Sequence, residues 1–219
     1  MTHHEPRIVL ASASPRRQRL LAEMLAEFSV HVSDVPEETL DGESPTEMAI
    51  RLSLAKASEV SRHHPHTLIV AADTIVVLDG RVLGKPVDHA DARRMLSRLR
   101  GRVHHVYTGL AVVDGANGTQ CQVVARTPVE MRKFADEEVA EYVSSGDPMD
   151  KAGAYAIQHD GFTPVESISG CYANVMGLPL CHLVRALRVW DVNPPVDVPA
   201  VCQSYTGELC EVFSRVLGA

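Results

Sequence analysis

Residues 68–83 read Leu68-Ile69-Val70-Ala71-Ala72-Asp73-Thr74-Ile75-Val76-Val77-Leu78-Asp79-Gly80-Arg81-Val82-Leu83, and their pattern sets the fold class. The apolar run Leu68 to Ala72 is too short for a helix between its breakers and predicts a buried strand ending at Asp73. Thr74 to Leu78 and Arg81 to Leu83 flank Asp79-Gly80, a strong hairpin signal. Helical signatures stand on both sides. Upstream, Ser44-Pro45-Thr46-Glu47 matches a capping box with proline at the first helical position, opening a helix to about Arg62. Downstream, Asp88 caps a helix that carries Ala92, Met95, Leu96 and Leu99 inward and stops at Gly101.

Farther out the alternation continues. Arg7 to Ala11 is a short apolar strand feeding a helix whose inward face is Leu20, Leu21, Met24, Leu25 and Phe28. Val30, Val32 and Val35 predict a second strand. Val103 to Val113 and Gln120 to Arg132 predict two long strands joined by a turn at 114–118. Helices follow at Asp136 to Ser145 and from Pro179 to about Trp190. Strands alternating with helices, together with a long hairpin, predict an α/β protein with a mixed β-sheet flanked by helices. From Asp191 the composition shifts to Val-Asn-Pro-Pro-Val-Asp-Val-Pro, which is extended linker chemistry. The expected organisation is one domain over 1–190 and a C-terminal extension over 191–219, with a short helix somewhere in Val201 to Leu217.

A chain of 219 residues, 45% of them hydrophobic, buries roughly 70% of its unfolded surface. The formal charge of −7 argues against broad binding to nucleic acid or to an acidic membrane. A small anion needs only a local basic cleft, so a nucleotide stays open. No apolar run approaches the ~18 residues of a membrane span, and no leader pattern opens the chain. Cys121, Cys171, Cys181, Cys202 and Cys210 are scattered and form no Cys-x-x-Cys, which predicts reduced thiols in a cytoplasmic protein.

Candidate chemistry begins at Ser14-Pro15-Arg16-Arg17. Ser14 caps a helix and Pro15 suits its first position, so Arg16 and Arg17 fall in the first turn, where the dipole disfavours cations. A bound anion reverses that sign, and phosphate is the usual one; two solvated arginines are the alternative. Asp73 closes an apolar run where burial of a carboxylate is costly without a partner or metal, although a local cap or Asx turn also fits. Asp34, Glu37 and Glu38 crowd one loop, either as a solvated acidic stretch or shared with a hard cation. Magnesium is the natural ion, with manganese as its substitute, because it takes one or two carboxylates plus phosphates.

Lys56 shares the inward face of its helix, and Lys85 sits between Gly84 and Pro86. Lys151 follows a capping Asp150. Gln158 either reads a base edge or bonds buried backbone. His63-His64-Pro65-His66 reads as a surface loop, and of His104 and His105 only one can face a cleft. No phosphate-binding Gly-x-x-x-x-Gly-Lys loop, Gly-x-Ser-x-Gly elbow or His-Glu-x-x-His is present in the sequence.

Several ordered stretches carry a family resemblance: Ala11 to Arg17, Gly42 to Pro45, Ala55-Lys56-Ala57, Ala72 to Val76 and Gly84-Lys85-Pro86. Val106 to Gly109, Asp150 to Tyr155 and Asn174 to Leu180 follow in order. Over about Arg7 to Trp190 the chain resembles the Maf family of nucleoside triphosphate pyrophosphatases. The resemblance implies an elongated, inosine-triphosphatase-like mixed sheet with two lobes and a central cleft, usually in a homodimer. It implies hydrolysis of a nucleoside triphosphate between the α and β phosphates. Asp73 matches the proton acceptor; Ser12, Arg16, Arg17, Lys56, Thr74, Lys85 and Gln158 match substrate-binding positions; Glu37 and Asp73 match the divalent-metal site. Asp73-Thr74 with the Asp150 to Tyr155 stretch and Gln158 looks like the branch that takes dTTP and UTP. A pyrophosphatase for 7-methyl-GTP or another modified nucleotide, and a non-catalytic nucleotide-binding regulator of cell division, are the alternatives.

Overall fold

The computed structural model describes residues 7–159 and 161–218. Its strands are β1 (Arg7–Leu10), β2 (Ser29–Val30), β3 (Thr67–Leu78), β4 (Arg81–Leu83), β5 (Val103–Asp114), β6 (Gln120–Met131) and β7 (Val165–Ile168). They form one mixed sheet in the order β2-β1-β3-β5-β6-β7, with β4 added to β3. The main helices are α1 (Pro15–Ala22), α2 (Pro45–Ser61), α3 (His89–Leu99), α4 (Asp136–Ser144), α5 (Tyr172–Met176) and α6 (Leu180–Leu187). A mixed sheet flanked by helices is therefore the observed class.

The strand expected to end at Asp73 runs on to Leu78, which corrects the sequence reading. Thr74, Ile75 and Val76 are β-branched and lie opposite Thr108, Tyr107 and Val106 of β5, so the ladder has no reason to stop. The position of Asp73 is special for a different reason. One edge of β3 pairs in parallel with β1 only as far as Val70, and antiparallel with β4 only from Val76. Between those partners the edge of β3 is open, and Asp73 and Thr74 sit in the gap.

Alternation along β3 divides the interior. Leu68, Val70 and Ala72 pack with α1 and α6 in one apolar core, whereas Val76 and Leu78 pack with α3 and α4 in a second. Thr74 is the polar break between them. On the opposite face Ile69 and Ala71 meet Ala57 and Val60 of α2, and Ile75 and Val77 meet Met48, Ala49 and Leu52. Asp73 is the break on that side. Helix α2 lies very close to the sheet because Gly109 has no side chain: a Cβ there would stand 2.2 Å from the Ala49 carbonyl oxygen. The capping box at Ser44 and Glu47 forms as the sequence predicts.

Three local expectations are corrected. The second strand is reduced to Ser29–Val30, since β1 ends at Leu10 and offers only its carbonyl to the amide of His31; Val30 and Val32 are exposed. The first helix ends at Ala22, and a tighter turn then brings Met24 and Leu25 into the core. The tail holds two helices, α7 (Val198–Thr206) and α8 (Phe213–Leu217), separated after Gly207 adopts a left-handed φ of 73°. Both fold back on the first core through Cys202, Tyr205, Phe213 and Val216. All five cysteines are free thiols. Among the described residues no helix is long and apolar enough to cross a membrane.

Candidate active site

The gap in the sheet opens into a cleft of about 530 Å³. Its lining brings together Ser12, Arg16 and Arg17 from the α1 entry, Glu37 from the following loop, and Lys56 from α2. Asp73 and Thr74 come from mid-β3, Lys85 from the turn after β4, and Gln158 from the far wall. Of the acidic triplet, Glu37 alone reaches the cleft; Asp34 and Glu38 are exposed elsewhere.

Lys56 is the electrostatic centre. It is 7% exposed, and its Nζ donates to Asp73 Oδ1 at 2.5 Å and to Glu37 Oε1 at 2.6 Å. Lys85 reaches the other Glu37 oxygen at 3.0 Å from the exposed rim. Burial works to raise the Glu37 pKa, but Lys56 first and then Lys85 outweigh it, bringing it from 4.5 to about 2. Glu37 thus stays ionised, and Lys56 ties it to Asp73 in one frame. Asp73 Oδ2 makes no hydrogen bond among the described residues.

Arg17 is the second centre. The Ser14 hydroxyl accepts from the Arg17 amide at 3.5 Å, and Pro15 holds the first helical position. The Arg17 side chain then turns back toward β3: Nε donates to the Gly177 carbonyl at 2.9 Å, Nη1 to Ser12 Oγ at 3.3 Å and Nη2 to Thr74 Oγ1 at 3.0 Å. Burial lowers its pKa, while Asp73 and Glu37 pull in the opposite direction. Gly177 is required here twice over. Its φ is +109°, and a Cβ would stand 3.2 Å from Arg17 Nε. So both cations in the first turn of α1 line the cleft, and Arg17 lies within the field of Asp73 and Glu37.

The contact between His104 and Tyr155 was not readable from the sequence. Of His104 and His105, for which the sequence allows at most one to face a cleft, neither belongs to the cleft lining. His104 is fully buried, held neutral by burial with a pKa lowered to about 4, and its Nε2 meets the Tyr155 hydroxyl at 2.7 Å. Tyr155 lines the cleft, so His104 touches a cleft residue without reaching the cleft itself. Lys151 also borders the cleft, with Nζ committed to Asp147 and Asp150. Gln158 stands exposed on the rim, which corrects the buried alternative. The histidines of 63–66 lie outside the cleft, and His64 Nε2 meets His31 Nδ1 at 2.8 Å. Thr108 and Asn174 support Thr74 from behind; their only sequence signal is membership of the Val106 to Gly109 and Asn174 to Leu180 stretches.

A buried carboxylate in a sheet gap, with Lys56, Lys85, Arg16 and Arg17 lining the same cleft, has the charge complement of a polyanion and a group able to accept a proton. The chain belongs to the family described as Maf-like protein, whose model matches residues 7–190. Two relatives show the depth of the match. The dTTP/UTP pyrophosphatase of Geobacter metallireducens is 51% identical over 183 residues, spanning 83% of this chain and 95% of the relative. That of Geobacter sulfurreducens is 52% identical over the same length and the same shares. Among solved structures, the Staphylococcus aureus Ham1 protein covers 73% of this chain and 79% of its own, with 18% identity and a TM-score of 0.42.

Proposed function

We propose that this protein hydrolyses nucleoside triphosphates, dTTP and UTP foremost, between the α and β phosphates, releasing the monophosphate and pyrophosphate. The observation that carries this reading is the Asp73 carboxylate, 5% exposed, hydrogen-bonded through Lys56 and adjacent in sequence to the residue that holds Arg17. Attack by a water oxygen on the α phosphorus forms one P–O bond and breaks the bond to the bridging oxygen. Asp73 takes the water's proton. Pyrophosphate leaves with the bridging oxygen and its added charge, which Lys56, Lys85, Arg16 and Arg17 neutralise. The anion also explains cations in the first turn of α1, where free N–H groups favour negative charge.

A divalent cation fits the donor set. Two carboxylates converge rather than three, among the described residues no group of three His, Cys, Asp or Glu side chains could hold an ion alone, and Asp73 keeps one oxygen unbonded. That is the complement of an ion such as magnesium, which completes its shell with waters and phosphate oxygens. Glu37 and Asp73 would hold it, and when bound it would neutralise phosphate charge. Gln158 on the rim offers both a donor and an acceptor, as a pyrimidine edge requires. The names of the relatives support the same pair of substrates.

Purified protein incubated with magnesium and a panel of nucleotides tests this. Pyrophosphate release from UTP and dTTP is the expected result. Release only from a modified purine nucleotide overturns the pyrimidine assignment, and nucleotide-dependent thermal stabilisation with every substrate recovered intact overturns the enzyme.

A further inference from the structure

We propose that Thr108, which does not touch the cleft, is a positioning residue for the anion site, setting the Thr74 hydroxyl and through it the Arg17 guanidinium. The inference rests on the reading of the cleft as a phosphate site. Arg17 has five N–H donors. Gly177, Ser12 and Thr74 each take one hydrogen from its three nitrogens, leaving about two N–H donors, on Nη1 and Nη2, for a substrate oxygen. Because Arg17 can only donate, Thr74 Oγ1 is an acceptor in that bond, and its own proton must turn elsewhere.

The neighbour available is Thr108 Oγ1 at 2.9 Å, directly across the β3–β5 ladder. Thr108 in turn faces the Asn174 backbone oxygen at 3.1 Å. A carbonyl can only accept, so the direction of every bond is fixed: Arg17 to Thr74, Thr74 to Thr108, Thr108 to Asn174. The far end is rigid. The fully buried Asn174 donates from Nδ2 to the Val106 carbonyl at 3.1 Å and to Thr127 Oγ1 at 2.9 Å, and Thr127 donates to the Cys171 carbonyl at 3.2 Å. Thr108 itself is 0% exposed. Without the Thr108 hydroxyl the Thr74 O–H loses its acceptor and is free to rotate, which turns the lone pairs that receive Arg17.

The test uses the full chain with Thr108→Val, which preserves shape, and Thr108→Ser, which preserves the hydroxyl. Thr108→Ala removes the hydroxyl without adding a methyl and carries the same expectation as valine should that variant fold poorly. Ser53→Ala, which removes a fully buried hydroxyl bonded to the Ile50 carbonyl, serves as a control outside the Arg17 relay. The Kd for inorganic pyrophosphate by calorimetry is read beside kcat and KM for UTP. Thr108→Val weakens pyrophosphate binding and lowers kcat/KM about tenfold, the worth of one hydrogen bond to a charged group. Thr108→Ser stays within about twofold, and Ser53→Ala keeps the pyrophosphate Kd. An unchanged Kd in both Thr108→Val and Thr108→Ala overturns the proposal. So does a Thr108→Ser variant as impaired as valine. Wild-type protein that binds pyrophosphate but hydrolyses no nucleotide refutes the catalytic reading alone, and the Kd series still decides the role of Thr108.

Discussion

Replacing Lys56 with methionine removes the charge at the centre of the site while retaining most of the side chain's volume. Lys56 and Asp73 are 7% and 5% exposed, with Nζ and Oδ1 2.5 Å apart, so the substitution strands a buried carboxylate. Breaking a buried pair from one side costs about 3–5 kcal/mol. Glu37 adds little, since its side chain is 41% exposed and keeps Lys85 as a partner. For a chain of this size each kcal/mol moves Tm by about 2–4 °C, so Lys56→Met should melt about 6–20 °C below wild type at neutral pH. Differential scanning calorimetry from neutral pH to about pH 4 is the assay. Acid protonates the stranded carboxyl and removes the cost of its buried charge. The deficit should therefore shrink as pH falls. A variant melting within about 2 °C of wild type at neutral pH, or one with the same deficit at both ends of the range, refutes the account of Lys56 as the neutraliser of Asp73.

Asp73→Asn should remain folded and bind nucleotide while turnover falls by about 10²–10⁴, read as initial rates of pyrophosphate release. Glu37 has a folded pKa of about 2 against an ordinary 4.5, so its contribution to stability is complete above pH 4.5 and is lost as pH falls toward 2. Urea unfolding across that window should be flatter for Glu37→Gln than for wild type; parallel curves would remove Glu37 from the lysine frame. Gly109→Ala places a Cβ 2.2 Å from the Ala49 carbonyl oxygen and forces α2 off the sheet. A stability loss of about 1–3 kcal/mol in urea, with reduced activity because Lys56 rides on α2, is the expected outcome.

Much of the site is legible as residue types at the ends of elements. Ser14-Pro15 announces the start of α1, and therefore places Arg16 and Arg17 in its first turn, because capping is a local event. Ser44 and Glu47 announce α2 in the same way, and helical spacing from there puts Lys56 on the inward face. Asp73 stands out as the carboxylate in an apolar run. By contrast Asp34, Glu37 and Glu38 look alike in sequence, and only the path of the loop after β2 turns Glu37 toward Lys56. Tyr155 and His104 meet across 51 residues, and Thr108 meets Asn174 across 66. No local pattern reports such pairs.

The sequence alone determined the elements, their caps and the inventory of charges, since periodicity and capping depend on neighbours within one or two turns. What only the tertiary structure decided is why Asp73 is accessible at all. A residue in the middle of a twelve-residue strand is normally sealed by a partner on each edge. Here β1 stops at Leu10 and β4 begins to pair only at Val76, and that non-local choice of partners leaves one edge of β3 open. The same arrangement carries Gly177 and α5 to Arg17, fixing a guanidinium that the sequence could place on a helix turn but could not aim.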